Sequence, residues 1–234
     1  MNPRTIVHMR VTEPIYAAAM YILLARRADY TRTEYLSDLA VHLIGIVVVL
    51  TCAPLLVVLT VVSAHGTASV IGMALYGLSF AAMILCSAVY NIFPHPDWEW
   101  LFKRLDHCAI YLKIAGTFTG FAMIAGQGFV IVGALWAAAA AGISLKLICP
   151  FRFRRTSIAL YLGMGWAGGL VAFGIFAALP PLTGSLIIVG GLLYTVGTGV
   201  YLWPQLPFHL TIWHSFVLVA SLAFYAAAVV AVLG

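Results

Sequence analysis

The sequence predicts an all-α membrane protein: a bundle of seven transmembrane helices with a cytoplasmic N-terminus and the C-terminus outside. Three observations predict it. First, 64% of the 234 residues are hydrophobic and only 8% are charged, whereas a soluble domain carries roughly 25% charged residues. Second, the apolar residues fall into seven continuous runs rich in Ala, Leu, Val and Gly. Barrel strands would instead be about ten residues long and alternate apolar with polar. Third, the basic residues occur only in alternate connections, apart from Lys113 inside a run. The net charge of +5 therefore encodes topology and does not point to nucleic acid.

Residues 1–38 form a cytoplasmic segment holding Arg4, Arg10, Arg26, Arg27 and Arg32. Its apolar stretch, residues 14–25, is too short to cross a core that needs about 20 residues. Two arginines follow it at once, a poor context for signal cleavage, so it is expected to lie as a helix in the interface. The single transmembrane domain, residues 39–234, contains spans at 39–64, 68–93, 107–125, 127–149, 157–179, 185–203 and 210–233. The connections after spans two and four carry Lys103, Arg104, Arg152, Arg154 and Arg155, with Lys146 ending span four. The positive-inside rule puts these in the cytoplasm with the N-terminus, and an odd number of spans puts Gly234 outside. Cys52, Cys86, Cys108 and Cys149 lie within or at the ends of apolar runs, where Cys behaves as a small hydrophobe; no disulfide framework is expected. Gly116…Gly120 and Gly165…Gly169 offer small residues one turn apart for close helix packing.

Ionisable groups inside a membrane are costly and tend to be functional. Here they gather at one depth, near the cytoplasmic boundary. His42 enters span one. Ser87 and Asn91, at i and i+4, share a face at the end of span two. Asp106 and His107 open span three, Lys113 lies two turns deeper, and His214 is one turn into span seven. Each has a structural alternative. Asp106 could cap a helix, His42 and His107 could bond locally, Lys113 could snorkel to the headgroups, and His214 could be a satisfied core residue. A retinal protein is excluded, because no lysine follows Lys146 to form a Schiff base on the last helix. Transport is disfavoured by the lack of polar groups in the far half of the bundle.

Four motifs carry a family resemblance: Glu34…Asp38…His42; Ser87-Ala88-Val89-Tyr90-Asn91; Leu105-Asp106-His107-Cys108-Ala109-Ile110-Tyr111 running into Ile114-Ala115-Gly116-Thr117-Phe118-Thr119; and Ile212-Trp213-His214-Ser215-Phe216-Val217-Leu218. The chain resembles the hemolysin III family, the bacterial branch of the progestin and adipoQ receptor superfamily. The resemblance implies a multi-pass protein of the bacterial inner membrane. It also implies a zinc site at the cytoplasmic end, with ligands from Ser-x-x-x-His in span two and His-x-x-x-His in span seven and an Asp opening span three. The ligand positions fall on Asn91, Leu210 and His214; only His214 is a good donor, and His209 is one residue out of register. Zinc needs three or four good donors, so no metal or other cofactor is expected there.

The expected role is receptor-like or in membrane homeostasis, with Asn91, His107 and His42 in a polar cluster and membrane lipids as partners. If the protein is an enzyme, Ser87, Asp106 and His214 are the catalytic candidates. The alternatives are a zinc-dependent lipid amidase of the ceramidase type using a rearranged set (His107, His209 or His42 with His214), and a membrane-perturbing cytolysin.

Overall fold

The computed structural model describes residues 31–93, 97–148 and 154–234. The expected interfacial helix at 14–25 lies outside them. The described residues form α1 (Arg32–Val62), α2 (Thr67–Ile92), α3 (Glu99–Ala125), α4 (Phe129–Ile148), α5 (Arg154–Val171), α6 (Phe173–Ala177), α7 (Pro181–Tyr201) and α8 (His209–Leu233). Six of these, all but α5 and α6, are long and apolar enough to cross a membrane.

The distribution of polarity is that of a protein solvated by lipid. Val62, Val130 and Leu170 are 75%, 88% and 78% exposed, while His42, Asn91, Lys113 and Thr119 are buried. Apolar side chains face outward because hydrocarbon is their solvent, and polar ones turn inward to find partners.

Local chemistry sets the ends of the elements. Thr31 and Glu34 form a capping box at the start of α1: the Glu34 amide donates to Thr31 Oγ1 (3.3 Å) and the Thr31 amide to Glu34 Oε2 (2.9 Å). The other oxygen of Glu34 accepts from the Phe208 amide (3.0 Å), at the left-handed residue that opens α8. Ser37 and Thr211 continue the seam, hydroxyl to hydroxyl at 2.9 Å. One carboxylate thus serves the first turns of two helices and fixes α1 against α8 in register. α3 ends at Gly126, whose φ of +67° is the left-handed stop that glycine adopts without strain.

Helices α2 and α3 pack nearly backbone to backbone. A Cβ on Gly116 would lie 2.2 Å from Ser79 Oγ and 2.7 Å from Ser79 Cβ. The Gly116…Gly120 pair therefore makes the contact expected of it. Gly165…Gly169 does not: a Cβ on either would meet nothing within 4 Å, and both line a cavity.

Three boundaries differ from the sequence reading. Helix α1 begins at Arg32, about two turns before the predicted start of span one, so Asp38 is helical and not part of the N-terminal segment. The predicted fifth span, 157–179, is divided at Ala172 into α5 and α6. Its apolar part, Thr156–Val171, is short of the roughly 20 residues a crossing needs. Gly163, Gly165, Gly168 and Gly169 weaken this stretch as a helix. In addition, α3 begins at Glu99 behind Trp98, two turns before the predicted start of span three. Asp106 is therefore inside a helix and is not an N-cap.

Candidate functional site

The seam between α1 and α8 places the site. Asp38 and His42 follow Glu34 at i+4 and i+8, so the face that contacts the start of α8 continues as an acid and an imidazole. His214 stands one turn beyond Thr211 on the facing helix. Its Nδ1 donates to Asp38 Oδ1 at 2.6 Å, with the two side chains 12% and 14% exposed. The His42 and His214 rings meet edge to face with centroids 4.4 Å apart.

On the other side of His42 lies α2. His42 Nδ1 is 2.8 Å from the Asp38 carbonyl oxygen. A carbonyl only accepts, so Nδ1 carries the proton and Nε2 presents a lone pair. That lone pair faces Ser87 Oγ at 3.3 Å and Asn91 Nδ2 at 3.4 Å. Asn91 Nδ2 also reaches Ser87 Oγ (3.3 Å) and donates to the Ser87 carbonyl (2.9 Å). Five side chains from three helices thus form one connected network.

Of the residues named from sequence, Ser87, Asn91, His42 and His214 belong to this network. Asp106 and His107 sit beside it. Asp106, Asn91, His107, His214 and Leu210 all line a cavity of about 130 Å³, and His107 turns its Nδ1 back to the Lys103 carbonyl of its own helix. Lys113 does not snorkel. It is buried, with Nζ 3.7 Å from the Tyr76 ring centroid and 4.8 Å from that of Phe80. His209 lines neither described cavity. Asp38 is the residue the site reading left out. The readable signal was its i, i+4 spacing to His42 behind a Thr-x-x-Glu capping box.

His42, Ser87, Asp106 and His214 also line one end of a larger cavity of about 640 Å³. Its remaining wall is mainly apolar, reaching Trp166 and Gly169 of α5, Phe173 and Phe176 of α6, and Gly184 and Ile187 of α7. The cavity is partly open, and its volume is in the range of sites that take small organic ligands.

The positions that the resemblance assigns to metal ligands do not make a zinc site. Asn91 and Leu210 take two of the three ligand places, and Leu210 lines the smaller cavity with no donor to offer. A different trio is closer to one. Asp38, His42 and His214 each bring a ligand atom within 4.8 Å of the others. Each imidazole Nδ1 donates to Asp38, which leaves Nε2 as the atom a metal would take from either ring.

Fold and site together define a multi-pass helical membrane protein with a buried polar network closing one end of an apolar cavity. Residues 31–225 match the family model described as Haemolysin-III related. The chain is 40% identical over 184 residues to Hemolysin-3 of Bacillus cereus, covering 76% of this chain and 83% of that protein. It is 35% identical over 201 residues to the Hemolysin-3 homolog of Bacillus subtilis (strain 168), covering 84% and 93%. The chain belongs to the haemolysin-III-related family.

Proposed function

We propose that this protein is a receptor-like, lipid-binding component of the bacterial inner membrane. An acyl chain occupies the 640 Å³ cavity, and the Asp38–His42–His214 network senses the chain's polar end. The observation that carries the reading is the cavity itself: a largely apolar, partly open space with its polar groups gathered at one end. In this reading α5 and α6 together complete a fifth crossing, giving seven, and the basic connections hold the N-terminus and the polar network on the cytoplasmic side. Native mass spectrometry of the protein released from mild detergent tests it. The expected result is one retained lipid per chain; a lipid-free protein with intact helical content would refute it.

The trio within 4.8 Å favours a second reading, a metal-dependent lipid amide hydrolase. If these residues held zinc, the metal would supply an activated water at the mouth of the cavity. Leu210, which offers no donor beside His214, weighs against it. Metal analysis of purified protein separates the two: stoichiometric zinc supports the hydrolase, and its absence supports the first reading.

A further inference from the structure

We propose that Ser87 and His42 form a metal-independent nucleophile–base pair that cleaves an ester of a long-chain acyl group lying in the large cavity. The inference rests on the lipid-binding reading and adds chemistry to it. Three observations carry it. The Asp38 carbonyl fixes the tautomer of His42, so that Nε2, the basic nitrogen, faces Ser87. The distance from Ser87 Oγ to that nitrogen, 3.3 Å, is that of an unliganded nucleophile–base pair, which is often looser than in the reacting complex. Asn91 Nδ2 donates to the Ser87 carbonyl at 2.9 Å and lies 3.3 Å from Ser87 Oγ and 3.4 Å from His42 Nε2, so it holds nucleophile and base together from the side of the smaller cavity.

Both Ser87 and His42 line the large cavity, so a bound chain brings its carbonyl to the pair. An ester fits better than an amide: without a metal the developing oxyanion gains little stabilisation, and an alcohol leaves more readily than an amine.

The step balances without any further reagent except water. Ser87 Oγ bonds to the acyl carbon as its proton passes to His42 Nε2. The ester C–O bond then breaks, and His42 returns that proton to the leaving alcohol. Water gives a proton to the same nitrogen and attacks the acyl-serine. The C–Oγ bond breaks, the proton returns to Oγ, and the fatty acid is released. Asp38 is a positioning residue, because its carbonyl holds the His42 tautomer and its carboxylate holds His214.

A long-chain alkyl fluorophosphonate tests the pair on the full-length protein in detergent. Oγ displaces fluoride at phosphorus, and the adduct is stable to peptide mass spectrometry. The expected result is one adduct per chain, on Ser87, absent in Ser87→Ala and unaffected by EDTA. In His42→Gln, which keeps a polar side chain but removes the basic nitrogen, labelling should slow by about 100-fold or more. Circular dichroism of each variant establishes that it is folded. Folded native protein without an adduct on Ser87, an adduct that forms as fast in His42→Gln, or labelling abolished by EDTA would each overturn the proposal. Lipid retention, measured on the same preparations, reports separately on the cavity.

Discussion

Two glycines in apparently equivalent motifs should respond in opposite ways to the same added methyl group. In Gly116→Ala the new Cβ would stand 2.2 Å from Ser79 Oγ, 2.7 Å from Ser79 Cβ and 3.1 Å from the Leu75 carbonyl oxygen. Rotating the Ser79 hydroxyl away from Tyr76, to whose carbonyl it donates at 2.8 Å, does not relieve the Cβ contact. Helices α2 and α3 must therefore move apart, at a cost of about 1–3 kcal/mol. In Gly169→Ala the Cβ meets nothing within 4 Å. Both substitutions gain the same helix preference of Ala over Gly, about 1 kcal/mol. That gain cancels between them, so their difference isolates the packing cost. Thermal unfolding in one detergent, followed by circular dichroism, should place Gly116→Ala about 2–12 °C below Gly169→Ala. Equal melting temperatures would refute the close α2–α3 contact and the open space beside Gly169 together.

Other perturbations reach the site and the topology. Asp38→Ala removes the acceptor of the 2.6 Å bond from His214 and should cost about 1.5–3 kcal/mol, the range for hydrogen bonds to charged groups; a melting temperature equal to that of the native protein would show that the network does not hold α1 to α8. Asn91→His combined with Leu210→His places imidazoles at two positions that already line the smaller cavity with His214. The double variant should bind zinc and gain about 2.7 kcal/mol of stability at 100 times its Kd, and a zinc titration with no thermal shift would sink the correspondence with the family site. A reporter enzyme fused after Gly234 should be active only outside the cytoplasm, and cytoplasmic activity would overturn the seven-crossing topology.

Much of the fold was legible because hydropathy reads burial in lipid directly. The helices now labelled α2, α4, α7 and α8 lie close to the apolar runs that predict them, and α1 covers its run after a start about two turns early. The fifth run misled because apolarity says how many residues favour lipid and nothing about whether they hold one continuous helix; its glycines decide that. The start of α3 was hidden for the opposite reason. Glu99, Lys103, Arg104 and Asp106 are polar enough to end an apolar run, yet they are helical.

At the site, His42, Ser87, Asn91 and His214 stood out because each is a polar residue in an apolar run. Asp38 did not, since it borders a charged segment where an acid is ordinary. Its importance comes from the register between α1 and α8, set by Glu34 bonding the Phe208 amide across 174 positions of sequence. No local pattern carries that contact. The two Gly-x-x-x-Gly motifs likewise read the same in sequence. Only the neighbouring helices make one a packing contact and the other a cavity wall.

The proposed lipid-binding cavity is the centre of this account, and filling it is the most direct test. Gly165→Leu with Gly169→Leu would put two apolar side chains into space that is open in the native protein without disturbing the polar network. Native mass spectrometry of the two proteins, prepared identically, should find one lipid on the native chain and none on a folded double variant. A native chain without lipid, or a double variant that keeps the same lipid at the same stoichiometry, would contradict the claim.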